Sequence, residues 1–303
     1  MLGKVDLVMW TKNGAQTLPS VLRQLNRVIP DEFSNKRIIV DDQSTDNTRE
    51  VARSFGWQLI MNEGTGVSDG ANTALRNVST DYFVSVEQDV LLANNWWERV
   101  PNFVTDKKTA VASGIRFAVK PIGLRKLEQQ MTKKVVGDER FLLSQKSSRQ
   151  EMFTYGKTLD NTIYKTKVLR ALGGFPRTKS GAGVDTILVY KLKRAGYDWA
   201  VDYNVKSLHL RFGLRHELRH SYWYGTVVRE VWHILRQEFG VQTPTESNLI
   251  YRLLLSPVGG FLTAIKTKEP TITYIYPLMR LYYIMGLLLS QKLETQVMSA
   301  HQK

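Results

Sequence analysis

Residues 4–210 of the chain predict an α/β fold: a mostly parallel, Rossmann-like central sheet flanked by helices, with a helical C-terminal extension after it. Three observations predict it. Short apolar runs alternate with segments of helical periodicity, which is the pattern of βαβ units. Polar, often acidic clusters sit where several of those runs end, and sheets of this kind bind ligands at the carboxyl ends of their strands. From Arg211 onward the pattern turns helical, aromatic and basic. Residues 1–212 are therefore expected to form one domain, and residues 213–303 a helical, amphipathic region that meets a membrane surface or packs on another subunit.

Each element follows in order. KVDLVMW (4–10) reads as a strand. A helix from Gln16 to Val28 carries Leu18, Val21, Leu22, Leu25 and Val28 on one face, and Pro30 ends it. KRIIVDD (36–42) is a buried strand, and Thr45 or Asp46 caps a helix running through Phe55. WQLIM (57–61) is a strand, followed by a glycine-containing loop and a helix near Asp69 to Val78. YFVSVE (82–87) is the next strand, Asn94 or Asn95 opens another helix, and TAVASGIRFAV (109–119) is a further strand. Residues 120–150 are basic and weakly periodic, and read as a helix and a mobile connection. A helix from about Asp185 to Ala195 stops at Gly196. Strands near 198–202 and 205–210 follow, the second carrying His209. In the tail, Asn248 to Ile265 is interrupted by Arg252 and Pro257, and Ile272 to Ser290 by Arg280. Neither segment is expected to offer the run of about eighteen uncharged apolar residues that a spanning helix needs. An amphipathic surface helix and a helix packed on protein both fit them.

Bulk properties narrow the function. There are no cysteines, which excludes disulfides and thiolate metal sites. The net charge of +14 favours anionic partners: phosphorylated substrates, anionic lipid or nucleic acid. Helix-turn-helix, zinc and RNA-recognition signatures are missing from the sequence, so nucleic acid is not the expected partner. MLGKVDLVMW enters a strand pattern directly, without signal-peptide architecture. A cytoplasmic location is expected, on the inner face of the cell membrane if the tail binds lipid.

The stretch VSVEQDVLL (84–92) raises the chemical question. Glu87 and Asp89 lie two apart at the end of an apolar strand, where side chains point the same way about 7 Å apart. Two like charges on one face repel. They become useful beside a hard divalent cation, which takes carboxylates together with substrate phosphates. Otherwise they are a solvated strand end.

Taken in order, five segments resemble the family 2 glycosyltransferases with the GT-A fold. They are VMWTKNGAQTLPSVLRQL, VDDQSTDNT, NEGTGVSDGANTAL, EQDVLL and LGGFPRTKSGAGVDTILVYKLKRAGYDWAV. The resemblance covers roughly residues 4–210, and polyprenyl- and dolichyl-phosphate sugar synthases are among the relatives it brings in. It implies a metal-dependent, inverting hexosyltransferase. A single sugar would pass from a UDP- or GDP-sugar to a lipid-phosphate or glycan acceptor, with Mn²⁺ or Mg²⁺ as cofactor.

The resemblance also implies roles. Trp10, Thr11, Asn13, Asp41, Asp42, Asn62, Gly66, Glu87, Gln88 and Arg116 bind the donor. Glu87, Asp89 and His209 hold the metal, and Asp185 is the general base. Five of them have a plainer alternative: Trp10 as core, Asp42 as a turn cap, Asp185 as a dipole-favoured helix residue, His209 as a strand histidine, Arg116 as a surface residue.

The family pattern is not followed everywhere. Glu87 replaces the usual first Asp of the DxD motif. Ala71 stands where an arginine is usual, and the acidic pair before the last helix is reduced to Val184–Asp185. Lysines and arginines of 116–149, or Lys179, would then supply the missing diphosphate contact. The QxxRW signature of processive synthases is missing, which points to transfer of one sugar. A non-catalytic nucleotide- or glycan-binding module with degenerate motifs is the alternative, and self-association is left open.

Overall fold

The computed structural model describes residues 2–120, 156–211, 213–244 and 246–300. These fall into two compact units. One comprises residues up to 119 with 156–177 and 184–210; the other comprises 120, 178–183 and 211–300. Most of the segment expected as a helix and mobile connection, 120–150, lies outside the described residues.

The first unit is built on one eight-stranded sheet. Its strands are β1 (Val5–Thr11), β2 (Ser34–Asp41), β3 (Gln58–Met61), β4 (Tyr82–Val86), β5 (Val90–Leu91), β6 (Thr109–Ala118), β7 (Asn161–Lys165) and β8 (Asp198–His209). The spatial order is β3-β2-β1-β4-β7-β6-β8-β5. The pairs β2–β3, β1–β2, β1–β4 and β6–β8 are parallel; β4–β7, β6–β7 and β5–β8 are antiparallel. The helices are α1 (Leu18–Val28), α2 (Thr48–Ser54), α3 (Gly66–Asn77), α4 (Trp96–Phe103), α5 (Thr166–Ala171) and α6 (Val184–Arg194).

The sheet carries core on both faces, so β1 is buried at every position. Strand alternation divides its side chains. Val5, Leu7 and Met9 pack with Leu18, Val21, Leu22 and Leu25 of α1. Val8 and Trp10 pack on the opposite face with Ala71, Ala74 and Leu75 of α3 and Leu188 and Leu192 of α6. Gly70 comes so close that a Cβ there would sit 2.9 Å from the Trp10 Cβ. Ala71 is wholly buried in this layer, a position with no space or solvent for an arginine.

Several expected boundaries shift. The first helix begins at Leu18 rather than Gln16, and α3 at Gly66 rather than Asp69. Asn47 and Asn95 occupy the N-cap positions of α2 and α4 without a side-chain cap bond. Asp46 instead accepts the N–H groups of Thr48 (3.1 Å) and Ala15 (3.1 Å), tying the turn to the end of β1. The two strands expected at 198–202 and 205–210 are one strand, β8. A register shift opposite Gly114/Ile115 absorbs the break, and Asp202 accepts the Asn204 N–H (2.9 Å) inside it.

The second unit is helical: α7 (Leu214–Phe239), α8 (Glu246–Leu254), α9 (Ser256–Thr267) and α10 (Ile272–Ala300). Gly225 of α7 and Gly286 of α10 face each other's helices. A Cβ on Gly225 would overlap the Tyr283 carbonyl, and one on Gly286 the Tyr222 carbonyl. The two backbones therefore touch, as small residues allow. One expectation is corrected here. Ile272–Ser290 is long and apolar enough to cross a membrane, with a mean hydropathy of 1.3. Arg280 lies within this segment, its guanidinium over the Tyr276 ring (5.2 Å) and donating to its hydroxyl (3.2 Å). The pair α8–α9 passes the same test jointly but bends by 59°. It leaves Tyr251, Leu254, Leu262 and Ile265 each at least 60% exposed. Also within this unit, Glu230 of α7 accepts the N–H groups of Lys179 (2.5 Å) and Ser180 (3.1 Å) and the Ser180 hydroxyl (2.8 Å).

Candidate active site

At the carboxyl end of β4 the chain leaves the sheet as Glu87–Gln88–Asp89 and re-enters it as β5. Antiparallel pairing sets Val90 opposite His209, and the Leu210 N–H donates to the Asp89 carbonyl (2.8 Å). That register seats the His209 imidazole beside the Asp89 carboxylate, with Nε2 3.6 Å from Oδ2. Glu87, Asp89 and His209 each present a ligand atom within 4.8 Å of the other two. Asp89 is buried and the other two are partly exposed. Two carboxylates and one imidazole converging from an open side fit a divalent cation that keeps free positions for substrate. The nitrogen donor suits Mn²⁺ better than Mg²⁺.

Arg116 on β6 connects this cluster to the rest of the site. It makes an ion pair with fully buried Asp160 and lies 3.8 Å from Glu87. Asp160 also accepts Oγ1–H of Thr158 (2.6 Å) and Nδ2–H of Asn161 (2.9 Å). Burial opposes the charge on Arg116, but Asp160, then Glu87, Asp185 and Asp89, hold its pKa above the ordinary arginine value. Asp160 is a site residue that motif reasoning did not find. It is a lone acid between a threonine and a strand pattern, and only the β4–β7–β6 pairing brings it to Arg116.

Asp185 lies in the first turn of α6, and its Oδ1 accepts the Thr186 N–H (2.7 Å). Desolvation pushes its carboxyl above the usual carboxylate range. The Thr186 N–H and the Arg116 charge offset that only in part. A carboxylate raised in this way is a stronger base near neutral pH than a solvated one.

The ends of β1 and β2 form the other half. Asp41 is wholly buried, accepting the Ser44 N–H (3.0 Å) and Arg49 Nε (2.8 Å), so it serves the turn and not an open surface. Asp42 faces the loop before α3. It accepts Asn62 Nδ2–H at Oδ1 (3.1 Å), and the Gly66 N–H (3.2 Å) and Lys12 Nζ (3.3 Å) at Oδ2. Asn13 adopts a left-handed conformation (φ 51°) and accepts the Thr45 N–H (2.8 Å). Gln88 reaches across to β1. Its Oε1 accepts the Thr11 hydroxyl and the Lys12 N–H (3.0 Å), and its Nε2 donates to the Lys12 carbonyl (3.1 Å). Trp10, for which the sequence left a core place and a donor contact open, packs in the core layer, its ring set edge-on to Phe175 with centroids 6.0 Å apart. A cavity of about 370 Å³, lined by Asn72, Leu75, Arg76, Arg170, Gly173 and Gly174, includes none of these groups.

A cation-fitting cluster and a desolvated carboxylate at the carboxyl ends of a mixed, mostly parallel sheet are the arrangement of an enzyme that handles a phosphorylated donor. Residues 6–172 match the sequence model of Glycosyl transferase family 2, and the chain belongs to that family. Its fold is similar to that of a mannosyltransferase from Pyrobaculum calidifontis, solved with GDP-Man and Mn²⁺. That match has 15% identity and a TM-score of 0.63, and covers 96% of this chain and 88% of the other. The fold is also similar to glucosyl-3-phosphoglycerate synthase from Mycobacterium tuberculosis, solved with Mn²⁺, UDP and glucosyl-3-phosphoglycerate. There the identity is 15% and the TM-score 0.55, with 80% and 81% of the two chains covered. No curated protein matches the chain significantly in sequence.

Proposed function

We propose that the chain moves a single sugar, with inversion, from a UDP- or GDP-sugar to a lipid-phosphate or glycan acceptor at a membrane face. The observation that carries the catalytic part is the convergence of Glu87, Asp89 and His209 beside Arg116, with the raised carboxyl of Asp185 in the same electrostatic neighbourhood. The similar folds solved with GDP-Man or UDP and Mn²⁺ support the donor class.

Glu87, Asp89 and His209 would hold Mn²⁺ or Mg²⁺. The ion, when bound, supplies Lewis-acid neutralisation of the leaving diphosphate. Arg116, kept charged and oriented by Asp160, adds fixed positive charge where the diphosphate gains negative charge. Asp185 accepts the proton of the attacking acceptor hydroxyl. One displacement without a covalent intermediate inverts the anomeric centre. The membrane part is supported by the exposed apolar row of α8–α9 and by the +14 net charge.

The test is a donor screen read by product mass spectrometry with lipid-phosphate and oligosaccharide acceptors. Asp185→Asn is expected to lower turnover about 10²–10⁴-fold while nucleotide affinity stays within a few fold. Retained turnover in that variant reassigns the base. Failure of every donor to transfer in the parent chain favours a binding module.

A further inference from the structure

Deepening the membrane part of the reading above, on which it rests, we propose that Arg252 and Arg280 form a binding site for the phosphate of an anionic phospholipid. The sequence supplies the first observation. The two long apolar segments of the tail, 248–265 and 272–290, hold one charged residue each, and both are arginines. A guanidinium in such surroundings is costly unless it is paired or serves a ligand. Arg252 is exposed on α8, and Arg280 is partly buried on α10.

The fold brings the two segments together. Leu249 of α8, Val228 of α7 and Ile284 and Leu287 of α10 form one buried cluster, with Leu253 and Tyr283 packed against it. The charges of Arg280 and Arg252 both act on the Tyr283 hydroxyl, so the two cations share one neighbourhood. Among the described residues, neither arginine is paired with a carboxylate. Arg280 donates to the Tyr276 hydroxyl (3.2 Å), while its buried Nε–H meets no acceptor there. A guanidinium carries five N–H donors in a planar fork that matches phosphate oxygens. Most of that capacity stays unused.

The surface beside the two cations decides which phosphate fits. Tyr251 and Leu254, on either side of Arg252 in the chain, are 63% and 72% exposed. Leu281 and Met285, which follow Arg280, are exposed as well. A free phosphate would meet the guanidiniums and leave this apolar surface in water. A phospholipid satisfies both, with its head on the arginines and its acyl chains on the leucines. Basic sites between apolar helices hold lipid head groups in this way.

Flotation of the full chain with phosphatidylcholine vesicles, with and without phosphatidylglycerol, tests this. High salt is used, so that diffuse attraction between separated charges is screened. The parent is expected to prefer the phosphatidylglycerol vesicles by about tenfold or more, from charge-assisted hydrogen bonds. Arg280→Gln is expected to bring that preference within about twofold, and Arg252→Gln to lower it several fold. Arg280→Lys keeps the charge without the fork, and is expected to restore the preference only in part. Lys266→Gln with Lys268→Gln removes two exposed charges from the same helical unit and is expected to leave the preference in place. Inorganic phosphate is expected not to displace the vesicles. An unchanged preference in Arg252→Gln, whose exposed position tolerates the change, overturns the site and leaves the membrane reading intact. An equal loss in the lysine variant, or displacement by inorganic phosphate, also overturns it, as diffuse attraction or a free-anion site. Binding to neither kind of vesicle overturns both. Sugar transfer enters none of these readouts, so the catalytic reading is tested separately.

Discussion

Two aspartates at opposite ends of the sheet strands, fully buried Asp6 and partly exposed Asp185, are treated in opposite ways. At the amino end Asp6 is the second residue of β1, fully buried. It accepts the N–H groups of Lys36 (2.9 Å), Ser79 (2.5 Å) and Thr80 (3.2 Å) and the Asn35 amide (2.7 Å). Desolvation alone would raise its pKa, but these donors, led by the Ser79 N–H, bring it below the ordinary value. At the carboxyl edge Asp185 has its own neighbour's N–H and a distant cation, and desolvation wins. Asp6 is a fastener between the starts of β1, β2 and β4. Asp185 is an under-solvated group kept ready to take a proton. Burial alone does not decide what a carboxylate does; the number of donors aimed at it does.

Three substitutions sharpen that contrast. The largest effect is expected from Asp160→Ala, because it leaves the Arg116 charge without its buried partner. Urea unfolding should show a loss of about 3–5 kcal/mol. A loss below 1 kcal/mol would mean that Arg116 escapes to solvent and that Asp160 fastens nothing.

Asp6→Asn comes next, costing about 1.5–3 kcal/mol near neutral pH through its charge-assisted bonds. The sign with pH follows from the lowered pKa. The Asp6 contribution is complete above its unfolded value of 3.8 and is lost as pH falls through the lower folded value. The difference between parent and variant should therefore close in strong acid.

The smallest effect has the opposite sign. Asp185 has a raised pKa, so its ionisation destabilises the native state as pH rises from 3.8 through the folded value. Asp185→Asn should slightly raise the unfolding midpoint at neutral pH while lowering turnover about 10²–10⁴-fold. The acid limb of the parent kcat/KM profile should lie above 3.8. A variant less stable than the parent would make Asp185 a fastener like Asp6.

Legibility in the sequence followed the same division. The half of the sheet made of β1 to β4 was readable because its strands are apolar runs joined by short helices of clear periodicity. Even the caps were placed within a residue or two. The clusters at Asp41–Asp42 and Glu87–Asp89 stood out as polar ends on apolar strands. What was not readable were β5 and β7, one too short and one too polar in pattern to stand alone. Trp10 stayed open between two readings because a strand-end aromatic looks alike whether it faces a ligand or a core. Its place in the alternation of β1, one residue past Met9, sends it to the layer with Ala71 and Phe175.

The amino-acid order by itself determined the alternating α/β plan, the family, and which side chains could serve as acid, base or ligand. These depend on periodicity and residue chemistry within short windows. Only the tertiary structure decided that His209 stands beside Asp89, that Asp160 holds Arg116, and that Gln88 holds Lys12. Those contacts come from antiparallel pairings and a reach between separate strand ends. Partners brought together that way, as Arg116 and Asp160 are from 44 residues apart, leave no local pattern to read.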